Sequence, residues 1–282
     1  MQRSRPAAAG PSRVVAASSL VARVATPLVV VALGACAAAG GVPSGSTADA
    51  TTRTVRVAAA SDLVHVLDDL AGTLEGEGIE VEATYASSGT LLQQVRNGAP
   101  YDLYLAADVA YARLLADEGL ATDDGVFTYA TARLAVWVPA ATDRVAGLDA
   151  LLHPEVRTVA VANPRHAPYG AAAVAAIDDA GLTSAVEAKL VLGESTAQAA
   201  EMAAAGHADA AVVALSVVLA DARAQDGSWA EVPPAAGTAL EQGGVVLASA
   251  RDVDAAAAVR DALLSDEGRT LLERHGLGLP GR

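Results

Sequence analysis

The sequence predicts an α/β protein of two lobes, each a mainly parallel sheet flanked by helices, with a cleft between them. Three observations predict it. From residue 55 onward, short apolar runs alternate with amphipathic segments in the order strand, helix, strand, helix. Small polar residues of the kind that cap helices sit at several of the points where a run passes into the next amphipathic segment. The chain has 282 residues, of which 52% are hydrophobic and 18% charged, enough for one large core or two modest ones and too apolar for disorder.

Val55–Ala60 is a short apolar run and reads as a strand. Leu63, Val66, Leu67 and Leu70 then recur at i, i+3, i+4 and i+7, an amphipathic helix capped by Ser61 or Asp62. Ile79–Tyr85 is a second strand, and Ser87-Ser88-Gly89-Thr90 feeds the helix that carries Leu91, Leu92 and Val95. Asp102–Ala107 is a third strand, followed by a helix from Val109 to Glu118, with Gly119 placed as its C′ glycine. Strands are further expected at Leu134–Val138, Thr158–Ala162, Lys189–Leu192, Ala210–Ala214 and Val245–Ala248. Pro168-Tyr169-Gly170 reads as a turn before an Ala-rich helix over 171–180, and Glu194-Ser195-Thr196 caps a helix running to Ala205. Two helices close the chain, Val253–Leu264 and Glu267–His275, with Gly276 as the stop.

Composition shifts at Thr128–Arg133 and at the loop Pro233-Pro234-Ala235-Ala236-Gly237 suggest that the chain crosses between lobes twice. Lobe one is then 55–132 plus 240–282, and lobe two is 133–239. Two consecutive domains would satisfy the same pattern nearly as well.

Charge and composition exclude several function classes. Lys and Arg total 19 against 33 Asp and Glu, a net charge of -14, which argues against a nucleic-acid partner. Aromatic residues are only 3%, too few for a stacking platform, and the single Cys excludes an intrachain disulfide or a CxxC motif. Residues 1–35 hold four Arg and no acid, with the apolar run LVVVALG at 28–34, and read as an export leader. The run is too short for a transmembrane helix, which needs roughly 20 residues. Leu33-Gly34-Ala35-Cys36 resembles a bacterial lipobox, so Cys36 is expected to carry lipid and anchor the chain to the outer face of the cell membrane. Residues 37–54 are small and polar and read as a flexible tether. The 247 residues after the leader keep 15 basic and 33 acidic side chains, a net of -18.

Most catalytic and metal patterns fail. His65, His153, His166, His207 and His275 form no HxH, HExxH or i, i+4 pair. Thr122-Asp123-Asp124-Gly125 lacks the alternating spacing and closing Glu of a calcium loop. Asp68-Asp69 and Asp178-Asp179 are adjacent on helices and do not face each other. No GxSxG elbow and no GxGxxG after the first strand is present. What survives is a set of strand-to-helix junctions rich in small and polar residues: Ala60-Ser61-Asp62, Ser87-Ser88-Gly89-Thr90, Pro168-Tyr169-Gly170 and Glu194-Ser195-Thr196. Helix starts expose unpaired N–H groups, so several of them around one cleft would bind a small oxyanion without Lys or Arg.

The blocks AAASDL at 58–63, YASSGTLLQQVRNGAPYDLYLAAD at 85–108, VANPRHAPYG at 161–170 and SDEGRTLLERHGL at 265–277 carry a resemblance. In order and spacing the chain from Val55 to the C-terminus resembles the periplasmic molybdate-binding proteins of ABC importers, which have the type II periplasmic-binding-protein fold. The resemblance implies a monomeric binding protein rather than an enzyme, with no cofactor. Its ligand would be molybdate, and tungstate with it, and its partner an importer permease. It further implies that Ser61 and Ser88 donate hydroxyl and backbone N–H groups, and that Tyr169 and Thr196 donate backbone N–H groups. Molybdenum would thus be held as molybdate, without direct metal ligation. A fifth donor in some members, a Tyr hydroxyl, falls at Ala214 here. Either that bond is lost, or Ser216, Tyr169 or a water replaces it. Asp62 is an unwelcome carboxylate beside an anion unless it caps the helix and points away. The rival expectations are a binder of another anion, such as sulfate or phosphate, and an exported hydrolase.

Overall fold

A computed structural model describes residues 52–139, 147–220, 227–234 and 240–281. The expected leader 1–35, Cys36 and tether residues 37–51 lie outside the described residues, as do 235–237 of the second crossing loop. Two five-stranded sheets form. The first has the order β2 (Ile79–Ala86), β1 (Arg53–Ala60), β3 (Leu103–Ala106), β10 (Glu241–Val246), β4 (Phe127–Thr131). The second has the order β7 (Leu190–Gly193), β6 (Val159–Ala162), β8 (Ala210–Ala214), β5 (Leu134–Val138), β9 (Ser228–Val232).

Each sheet has a parallel trio extended by an antiparallel pair. β1 runs parallel to β2 and β3, while β10 runs antiparallel to β3 and β4. β6 runs parallel to β7 and β8, while β5 runs antiparallel to β8 and β9. The parallel trios are what the strand–helix alternation dictates, because a parallel neighbour needs a crossover connection. β4 and β9 were not foreseen. Both are edge strands, and β9 buries only part of its length, so neither shows an apolar run. The first strand starts earlier than expected: Arg53 and Thr54, assigned to the tether, pair with Ile79 and Glu80.

Helices cover both faces of both sheets, which is why β3, β6 and β8 are buried throughout and read as unbroken apolar runs. On the first sheet, α1 (Val64–Glu75), α8 (Val253–Leu264) and α9 (Asp266–Arg274) share a core of Val55, Val57, Leu67, Leu70, Val259 and Leu272. α2 (Ser88–Arg96) and α3 (Val109–Asp117) pack the opposite face through Leu91, Leu92, Ala112 and Leu115. Gly119 follows α3 with φ 71°, the left-handed C′ position that favours glycine. On the second sheet, α4 (Pro168–Asp179) buries Ala173 and Ile177 against Val159, Val161 and Val212. The short helix α5 (Thr183–Val186) adds Val186 to that core. α6 (Thr196–Ala204) buries Ala199, Ala200 and Ala203 against Trp137, Ala160 and Val213. α7 (Leu215–Ala220) follows β8 directly.

The chain passes from β4 to β5 through Ala132 and Arg133. The Ala132 N–H donates to Leu240 O at 2.8 Å, so the passage out of the first sheet is bonded to the passage back into it. Leu215 N–H donates to Arg133 O at 2.8 Å and fixes the same segment to the start of α7.

Candidate functional site

The parallel strands β1, β2, β6 and β7 all end at turns that lead into helices, so their carboxyl ends gather several helix starts in one place. Open α/β sheets hold ligands at such carboxyl ends. β1 passes into a 3-10 turn, Ser61–Leu63, which continues as α1. Contrary to the capping expectation, neither Ser61 nor Asp62 caps this helix. Ser61 is buried, and its Oγ accepts from Ala197 N–H at 3.4 Å, in the first turn of α6.

After β2, Ser87 is the N-cap of α2, and its Oγ accepts from Thr90 N–H at 3.3 Å. That frees Ser88, the first helical residue, to face inward, where its Oγ accepts from Ala107 N–H at 3.0 Å. The hydroxyl proton of Ser88 remains available to an anion. Pro168 and Tyr169 are not a turn before a helix; they are its first two residues, with Pro168 where a missing N–H costs nothing. Tyr169 N–H belongs to the set that a helix start leaves without an intrahelical partner. Thr196 opens α6 after the N-cap Ser195, and Thr196 Oγ1 accepts from Ala214 N–H at 2.8 Å. Ser61, Ser88, Tyr169 and Thr196 thus come together, and with Asp62 and Ser87 they line a cavity of about 10 Å³. That is the scale of a single water or small ion. Among the described residues, no Lys, Arg or His lines it.

Asp62 is 3% exposed and does not point away as a cap would. Its Oδ2 accepts from Tyr169 hydroxyl at 3.0 Å and from Gln242 Nε2 at 2.6 Å, and Gln242 Nε2 also donates to the Tyr169 oxygen at 2.9 Å. Burial pushes the Asp62 carboxyl above its ordinary range, against the opposing pull of Gln242, Tyr169 and its own backbone N–H. Burial first, and Asp62 second, hold the Tyr169 hydroxyl well above its ordinary value. Asp62 Oδ1 is buried and has no partner.

Residues from both sheets meet directly around the cavity. Gly89 N–H donates to His166 O at 2.9 Å, Ser87 Oγ bonds His166 Nδ1 at 2.9 Å, and Ser216 hydroxyl donates to Asp62 O at 2.9 Å. The hydroxyls of Ser216 and Tyr169 both donate to Asp62 here. Sequence reasoning missed Gln242 and His166. Gln242 is fully buried in a strand of Gly and Val, and a lone amide in such a strand is the signal that could have found it.

A model of the family described as bacterial extracellular solute-binding protein matches residues 55–278. The molybdate-binding protein ModA of Azotobacter vinelandii is 35% identical over 227 residues, covering 80% of this chain and 90% of that protein. The molybdate-binding protein ModA of Rhodobacter capsulatus is 34% identical over 202 residues, covering 72% and 79%. The chain belongs to the ModA family of bacterial extracellular solute-binding proteins. The solved structure of the Azotobacter vinelandii periplasmic molybdate-binding protein superposes with a TM-score of 0.74 at 28% identity, covering 80% of this chain and 99% of that one. This ModA-family chain shares the two-sheet α/β architecture, and its cavity offers hydroxyl and backbone donors rather than formal positive charge.

Proposed function

We propose that this chain is the extracytoplasmic receptor that captures molybdate, and tungstate with little discrimination, and hands it to an ABC importer permease. The observation that carries this reading is the convergence of Ser61, Ser88, Tyr169 and Thr196 on one small cavity without a cationic side chain. Identity of 35% to a molybdate-binding protein over most of both chains supports the same ligand. Two lobes, 55–132 with 240–282 and 133–239, close on the anion and exclude water, which strengthens each fixed dipole around it. Neutral donors carry no partner charge to desolvate, so reopening releases the anion. Molybdenum stays inside its oxyanion and meets no protein ligand, and nothing in the scheme requires turnover. Cys36, freed by removal of residues 1–35, holds the monomer at the membrane through lipid, and the tether lets it reach the permease.

Titration calorimetry with molybdate, tungstate, sulfate and phosphate tests the reading. Molybdate and tungstate are expected to bind with similar affinity and sulfate far more weakly, because a smaller anion spans the donor ring poorly. Equal affinity for all four, or none for molybdate, overturns it. Mass spectrometry of the membrane-extracted protein tests the lipid at Cys36.

A further inference from the structure

Within the molybdate reading, on which this inference rests, we propose that Asp62 is itself an anion ligand: it carries a proton on Oδ1 in the bound state and donates it to an oxygen of the anion. Three observations lead there. Asp62 lines the same cavity as the four donors. Its Oδ2 is saturated by Tyr169 hydroxyl and Gln242 Nε2, which leaves Oδ1 as the oxygen still to be satisfied. Oδ1 is buried without a partner, and an unsatisfied buried oxygen is costly to leave so. A bare carboxylate oxygen cannot sit against an anion's oxygen, since both carry only lone pairs. One proton between them turns that repulsion into a short, charge-assisted hydrogen bond.

The surroundings favour a proton there. The groups that stabilise the Asp62 anion are all neutral: Gln242 of β10, the Tyr169 hydroxyl of α4 and its own backbone N–H. Tyr129 of β4, whose hydroxyl donates to Ala106 O at 3.0 Å, is a neutral phenol, held so by its own burial. The Ser216 hydroxyl of α7 donates to Asp62 O, and α6 contributes Thr196 to the shared cavity, neither of them charged. His65, on α1, is exposed. Burial raises the carboxyl in the free protein, and a bound dianion raises it further. The proton comes from solvent, no bond in the anion breaks, and the Asp62 side chain keeps its Oδ2 contacts throughout.

Binding a fully deprotonated dianion is then coupled to the occupancy of one proton on Asp62. Affinity is highest below the carboxyl's free-state pKa, and above it falls about tenfold per pH unit until the bound-state pKa is reached. Molybdate affinity measured by calorimetry from about pH 5 to about pH 9, together with proton uptake from two buffers of different ionisation heat, is the test. The expected result for the wild-type chain is that decline, with uptake rising toward one proton per anion along it. Asp62→Asn keeps an acceptor for Tyr169 and Gln242 and puts an N–H₂ donor at the Oδ1 position, so its affinity is expected to be flat over the same range. A wild-type profile that is flat with no proton uptake, or an Asp62→Asn profile that declines like the wild type, overturns the proposal while leaving molybdate capture standing. Failure of the wild-type chain to bind molybdate at every pH overturns the functional reading and this inference with it.

Discussion

The Tyr169 hydroxyl donates to the Asp62 carboxylate at 3.0 Å, joining the first turn of α4 to the turn that follows β1. The two residues lie 107 positions apart and belong to different sheets. The Tyr169 ring packs with Val159, Val161 and Val212 in the second sheet's core, so its hydroxyl is placed by that core and not by the cavity. Gln242, from the first sheet, bonds both partners at once. The bond therefore reports the relative position of the sheets to the Asp62 carboxylate that lines the cavity.

Tyr169→Phe removes the hydroxyl from this triangle and leaves the backbone N–H in place. Asp62 and Gln242 each lose a buried partner, so unfolding stability at neutral pH should fall by about 1–3 kcal/mol. Denaturant unfolding with an unchanged slope is the measurement. A variant as stable as its parent would show that the triangle contributes nothing net.

Asp62 also sets a pH dependence of stability in the free protein. Its folded-state pKa is raised, so between the ordinary carboxylate value and the folded value the folded chain binds more protons than the unfolded chain. Stability from this group is therefore full at acidic pH and is lost as pH rises through the folded pKa. Asp62→Asn cannot ionise, so its melting temperature relative to the parent should improve steadily from about pH 4 upward. Thermal unfolding of both chains, without anion, across that range measures it. A constant gap would mean that Asp62 is not raised by folding.

Much of this was legible beforehand, for a physical reason. β5, β8 and α8 fall where their patterns put them, at Leu134–Val138, Ala210–Ala214 and Val253–Leu264, because buried runs and amphipathic periods are local signals. The junctions at Ser87 and Ser195 were legible because capping chemistry is local as well, whereas the Ser61 and Tyr169 junctions carry no side-chain cap and were picked out by their small and polar residues alone. The Asp62 side chain was not, because its partners are 107 and 180 residues away, and no local pattern encodes them. Edge strand β4 was hidden too: its ladder partner is the distant β10, with one bridge from Thr131 to Gly278, and its short half-buried run resembles a connector.

The two serines should separate in stability while agreeing in binding. Ser88→Ala strands the Ala107 N–H beside a fully buried segment and should cost about 1–3 kcal/mol in unfolding. Ser61→Ala breaks a longer bond, at 3.4 Å to Ala197 N–H, and should cost less. Each also removes a hydroxyl donor from the cavity, so each should weaken molybdate binding by about tenfold. Calorimetry and denaturant unfolding on the same preparations check both halves. Unchanged affinity in both variants would remove these side chains from the site.

Gly89 tests the contact between the two sides. It lies inside α2 at ordinary helical angles, where alanine is the better helix former. Yet a Cβ at that position would stand 2.6 Å from His166 O, the atom that accepts the Gly89 N–H from the other sheet. The two sides are together in this structure, so the clash is already present without ligand. Gly89→Ala should therefore lower the ligand-free unfolding stability by about 1–3 kcal/mol, offset in part by alanine's better helix propensity. It should lower molybdate affinity by a closure cost of about 1–3 kcal/mol. Small-angle scattering should show the parent contracting with molybdate and the variant contracting less. Full contraction and parental affinity in Gly89→Ala would mean that the His166 segment yields, and that this contact does not limit how far the lobes close.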